Sequence, residues 1–141
     1  MQSLLKGGSM IESLGGMIPF LGHVFLIFFA SFFSLNFIFN KNFTKSFGFE
    51  SPEAAQMGRP LGFVMLGVVL MLIATLFQFG GFNSTSEIYA ILFTFAILGF
   101  LNNILMYLKV IESLNDSQQN IKNAIRPLIV VIVVLIIYFT N

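Results

Sequence analysis

The chain has 141 residues, 57% of them hydrophobic and only 9% charged, with 7 Lys and Arg against 6 Asp and Glu. A water-soluble domain carries about 25% charged residues, so an ordinary soluble fold is excluded and an all-α membrane protein is expected, as a single domain over 1–141. A net charge of +1 leaves no cation cluster for a phosphate backbone, so no nucleic-acid contact is expected. The absence of cysteine removes disulfides, thiolate metal sites and cysteine nucleophiles.

In chain order, residues 1–17 predict an interfacial segment rather than a cleaved signal peptide. It holds one basic residue, Lys6, and is broken by Gly7-Gly8 and Gly15-Gly16. Leu4, Leu5, Met10, Ile11 and Leu14 suit short helices lying in the interface plane.

Four charge-free runs follow, at 13–40, 60–86, 88–108 and 127–141, with His23 the only histidine among them. About 20 apolar residues cross the roughly 30 Å hydrocarbon core as a helix. Transmembrane helices are therefore predicted at about 18–39, 60–79, 87–108 and 123–139. The last requires Arg126 to reach the interface. Its β-branched run, 128–137, would suggest a strand in water, but a lone strand in lipid leaves its backbone unsatisfied.

Between these spans, Ser51-Pro52-Glu53 supplies an N-cap, a proline at the first helical position and an acidic residue at the positive dipole end. A short separate helix is predicted at 52–57, stopped by Gly58. Ser84 and Glu87 have capping-box spacing ahead of the third span, which can run on as helix past Lys109.

Basic residues orient the spans. Lys41, Lys45 and Arg59 follow the first span, and Lys109, Lys122 and Arg126 lie between the third and the fourth; Lys6 alone lies elsewhere. In a bacterial inner membrane, both long loops are then expected in the cytoplasm and both termini in the periplasm.

A shift of 67 residues brings Arg59-Pro60-Leu61 onto Arg126-Pro127-Leu128, Asn36 onto Asn103 and Val64 onto Val131. Each half would then be a hairpin of two spans, and two such units form a tandem parallel repeat. Chance matching in a chain rich in Phe, Ile, Leu and Val is the competing explanation.

Residues able to do chemistry are few. His23 has no carboxylate near it in sequence, so a packed histidine bonded to a backbone carbonyl is favoured over a base or metal ligand. Glu50 and Glu53 suit a solvated loop. No cofactor is expected and no enzymatic activity. Proton and ion paths place charged side chains within spans, and none is found in the charge-free runs.

Ser31, Ser34, Asn36, Thr75, Gln78, Thr94, Asn102 and Asn103 are the neutral polar groups of the spans, favoured as bonds between helices over pore lining. Ala30, Ser34, Asn36, Gly62, Gly67, Asn102 and Asn103 are the candidates for helix packing or interface contact. Tyr89, Tyr107 and Tyr138 fall near predicted helix ends, where an aromatic belt sits. The 19 phenylalanines suit lipid or partner subunits equally. Arg59 and Arg126 oppose the dipole at a helix N-terminus; topology explains them, and contact with lipid headgroups or an acidic partner is the sharper alternative.

Ser13-Leu14, Ile18-Pro19-x-Leu21, the span end Asn36-Phe37-Ile38 and the entry Gly58-Arg59-Pro60-Leu61 together resemble the small polytopic inner-membrane proteins of type IVB (Dot/Icm-like) secretion and conjugation systems, of the IcmC/DotE kind. The half-unit is also similar to conjugative pilin subunits. The resemblance implies a non-enzymatic subunit building a membrane platform or channel, with lipids, other subunits and further copies of itself as partners. A small oligomeric transporter or channel, and an accessory subunit of a respiratory complex, are the alternatives.

The orientation predicts that single cysteines introduced as Lys45→Cys and Lys122→Cys react with a membrane-impermeant thiol reagent only after the cytoplasmic face is opened. Labelling of either in intact cells would reverse the topology.

Overall fold

The computed structural model describes residues 10–82, 84–112 and 120–141. It is all-α, with no strand among the described residues. Four helices are each long and apolar enough to cross a membrane: α1 (Met17–Phe39), α2 (Pro52–Phe77), α3 (Ser86–Tyr107) and α4 (Ile121–Thr140). The chain is a multi-pass membrane protein. Of the predicted N-terminal amphipathic positions, Leu4 and Leu5 lie outside the described residues. Residues 10–13 are helical, and Leu14 is buried before the turn at Gly15-Gly16.

The spans match expectation closely at α1, and α4 begins two residues earlier than predicted. α2 departs from it. The separate helix at 52–57 and the stop at Gly58 are not found, because one helix runs from Pro52 through Pro60 to Phe77. Its start is as read: Ser51 accepts the Ala54 N–H at 3.3 Å, with Pro52 in the first turn. Pro60 can donate no hydrogen bond to the preceding turn. Packing carries the helix through. A Cβ at Gly58 would stand 3.1 Å from Phe37 and 3.4 Å from Thr44, so the glycine lets this stretch of α2 lie close against α1 and the turn that follows it.

α3 lies within one residue of the predicted 87–108 at each end, but its ends are closed differently from the sequence reading. Its N-cap is Thr85, and Ser84 donates instead to the Glu87 carboxylate at 2.7 Å, because the helix begins too late for Ser84 to cap its backbone. α3 stops at Tyr107 rather than continuing past Lys109. Lys109 takes a left-handed conformation (φ 59°), and two backbone bonds, from its N–H to Met106 and from Val110 N–H to Leu105, close a Schellman turn. That position usually takes glycine, so the lysine gave no warning of the stop.

α1 packs chiefly on α2, and α3 on α4. α1 also lies against α4, while α2 and α3 barely touch. Pairing therefore follows the two halves of the chain. A buried stripe on α1 (Pro19, His23, Leu26, Ala30, Ser34 and Ile38) faces the other helices. The opposite stripe, including Phe25, Phe28, Phe32 and Leu35, is exposed to the surroundings. At the centre of the bundle Leu26, Leu72, Val134 and Ile137 bring α1, α2 and α4 together.

Lipid tails are as apolar as leucine, so helices associate by close approach rather than by escape from solvent. Two glycines provide it. A Cβ at Gly62 would lie 2.9 Å from the Ser34 carbonyl oxygen and 2.8 Å from Ile38, and one at Gly22 would lie 2.8 Å from Ile137.

The α1–α2 turn is set by aromatic packing. The short 3-10 helix Phe43–Phe47 places both its phenylalanines on Phe37, with ring centroids 5.0 and 5.5 Å away. Arg126 of α4 lies 4.3 Å over the Phe47 ring, linking this turn to the other half of the chain. Beneath it, the Thr44 hydroxyl is buried with no hydrogen-bond partner among the described residues.

Three stability outcomes follow, measurable by unfolding in mixed detergent micelles. Gly62→Ala should cost about 1–3 kcal/mol, because the obstructing atom is backbone. Gly67→Ala, where nothing lies within 4 Å, should be neutral or gain up to about 1 kcal/mol from helix propensity. Thr44→Val should not destabilise, since it removes an unsatisfied buried hydroxyl.

Candidate functional site

Antiparallel packing puts the start of α1, the end of α2 and the start of α3 at one end of the bundle, and three residues meet there. His23 lies six residues into α1, about 9 Å along its axis; Leu72 is five residues before the end of α2, and Tyr89 three residues into α3. All three therefore lie within two helical turns of that end of the bundle.

His23 is completely buried. Its Nε2 is 2.7 Å from the Leu72 carbonyl oxygen and its Nδ1 is 2.5 Å from the Tyr89 hydroxyl. A carbonyl only accepts, so Nε2 carries the proton. In the neutral ring Nδ1 then accepts the Tyr89 O–H. The Tyr89 ring meets the imidazole edge-on at 5.6 Å. Thr75, one turn beyond Leu72, also donates to the Leu72 carbonyl at 3.0 Å.

One imidazole thus ties three helices, and the weakly contacting pair α2 and α3 is bridged through it. Both ring nitrogens are engaged, so the ring offers no free lone pair to a substrate or a metal in this arrangement. No group of His, Asp and Glu able to hold a metal ion occurs among the described residues. What the geometry supplies is fixed helix placement.

The neutral polar residues of the spans do not perform the bridging expected of them. Asn36 donates to Phe32, Asn103 to Gly99, Thr94 to Ala90 and Ser34 to Ser31, each to a carbonyl of its own helix. Such back-bonding satisfies the side chain locally, which is the available solution when no neighbour presents a partner. Ala30, Ser34 and Gly62 are buried at helix contacts, with Ser34 and Gly62 against each other. Gly67 and Asn102 face outward, and the Asn102 side chain has no hydrogen bond among the described residues. Arg59 is exposed, whereas Arg126 is half-buried on Phe47.

Tyr89 corrects the aromatic-belt expectation: it turns inward to His23, while Tyr107 and Tyr138 are exposed. Tyr89 and the Leu72 carbonyl were missed in sequence because their partner is 66 or 49 residues away. Gly22 was missed too, although its spacing from Leu26, Ala30 and Ser34 puts it on the same side of α1. No protein-family model, curated protein or solved structure matches this chain.

Hydrogen bonds across membrane helices average about 0.6 kcal/mol and reach about 1.7. Tyr89→Phe should therefore lower unfolding stability by about that much. A double-mutant cycle with His23→Leu should return a coupling of the same order, and zero coupling would mean the bond contributes nothing to the fold.

Proposed function

We propose that this chain is a non-catalytic subunit of a multi-protein membrane assembly and acts by helix packing. The assembly we favour, on the resemblance set out above, is a bacterial secretion or conjugation apparatus of the type IVB kind. The chain would sit in the inner membrane with its basic loops in the cytoplasm and would contribute to a platform or channel wall.

The observation supporting a packing role is the state of His23. It is the one histidine within the charge-free runs, which hold no Asp, Glu, Lys or Arg, and both its nitrogens are bonded inside the chain. A proton or ion path needs ionisable groups that face a route through the membrane. In this bundle the corresponding group is consumed in holding helices together. The outward faces, by contrast, are long and apolar, with Phe28, Phe63 and Phe95 among the exposed residues.

Purification of the tagged full chain in mild detergent, with mass-spectrometric identification of what travels with it, tests the proposal. A secretion ATPase or other envelope components of such an apparatus are expected. Quinone- or haem-bearing subunits would point instead to a respiratory complex. Solute flux through liposomes containing the chain alone would overturn the packing role.

Arg59→Ala and Arg126→Ala should separate two effects. The exposed Arg59 should affect partner recovery without changing stability, whereas Arg126 should lower stability through the lost contact with Phe47.

A further inference from the structure

The six basic residues after the first span lie in or next to the two loops at one end of the bundle, and no ion pair neutralises them among the described residues. Beside α1, at that end, is an open groove of about 520 Å³ lined by Leu35, Asn36, Phe39, Asn40, Lys41 and Asn42.

Its hydrogen bonding is asymmetric. Asn36 donates to the Phe32 carbonyl at 2.7 Å, Asn40 donates to the Asn36 side-chain oxygen at 3.2 Å, and the Asn42 backbone N–H donates to the Asn40 side-chain oxygen at 3.0 Å. The amide oxygens of Asn36 and Asn40 are thus occupied within the protein. The Lys41 ammonium and the Asn42 side-chain amide have no partner among the described residues, both residues are exposed, and no carboxylate lines the groove.

The groove therefore presents a cation and amide donors, the complement of a phosphate. Below them Leu35 and Phe39 are exposed, at 45% and 78%, and continue the outward apolar stripe of Phe28 and Phe32. Polar donors directly above a lipid-facing apolar wall match a molecule with an anionic head and an acyl tail. The carbonyl end of α1 opposes an anion on the helix axis, which places the phosphate on the flank, at Lys41 and Asn42.

We propose that this groove binds an anionic phospholipid, with its phosphate at Lys41 and Asn42 and an acyl chain along Leu35 and Phe39. The site is independent of which assembly the chain joins. It is also distinct from the general attraction of the basic loops for an anionic surface, because it depends on one lysine and not on total charge.

Native mass spectrometry of the detergent-solubilised full chain, titrated with phosphatidylglycerol or with phosphatidylcholine of matched acyl chains, tests it. The wild-type chain should retain phosphatidylglycerol at several-fold lower lipid concentration. Lys41→Gln should weaken that retention about fivefold, the size expected for one lysine at an anionic headgroup. Lys45→Gln removes the same charge from the same loop outside the groove and should leave retention unchanged. An intact helical circular-dichroism spectrum identifies variants that have kept their fold; if Lys41→Gln has not, Asn42→Ala provides the reading in its place.

Equal retention of the two lipids would overturn the proposal, as would equal losses in Lys41→Gln and Lys45→Gln. Displacement of the lipid by millimolar inorganic phosphate would show a site for free anions instead. Displacement by an acidic peptide would show a protein-docking surface.

Discussion

Lipid offers no hydrogen-bond partner to a backbone, and this constraint shapes the whole molecule. Each crossing segment must close its own hydrogen bonds, so even the β-branched run of α4 is helical. Where a helix ends, its last groups need local partners. Ser51 and Asn120 supply them at two N-termini, and the Schellman turn at Lys109 supplies them at a C-terminus. These caps lie at the charged end of the bundle, where the chain leaves the apolar layer.

The same medium removes the usual reason for helices to adhere. Contact then depends on shape and on the few polar groups that find each other. Gly62 and Gly22 bring α2 and α4 against α1, and His23 joins α1, α2 and α3 through two hydrogen bonds. The bundle is held differently at its two ends. One end has the imidazole tie, and the other has the aromatic cluster of Phe37, Phe43 and Phe47 capped by Arg126. Between them, the core is aliphatic apart from the buried Ser34, and carries no charge.

That arrangement bears on what the chain can do. On the packing role proposed above, the interior histidine is committed to the Leu72 carbonyl and the Tyr89 hydroxyl. Outside the bundle lie long apolar faces, the exposed Asn102, whose side chain has no hydrogen bond among the described residues, and six basic side chains at one end with no ion pair among the described residues. On that proposal, lipid and neighbouring proteins would meet these features.

The four spans, their order and the end at which positive charge gathers were legible from the sequence alone. Hydrophobic length and charge placement act residue by residue and need no knowledge of neighbours. The same holds for the Ser51-Pro52 helix start. Whether Gly58 and Pro60 would interrupt α2 was not legible, because the continuation rests on Phe37 and Thr44 from another part of the chain. Nor could the role of any polar residue be read locally: Asn36 and Asn103 bond within their own turns, while Tyr89, which resembles an interface anchor, is the donor to His23. Only the tertiary structure decided these, because a hydrogen bond between helices exists only when packing brings distant residues to within about 3 Å.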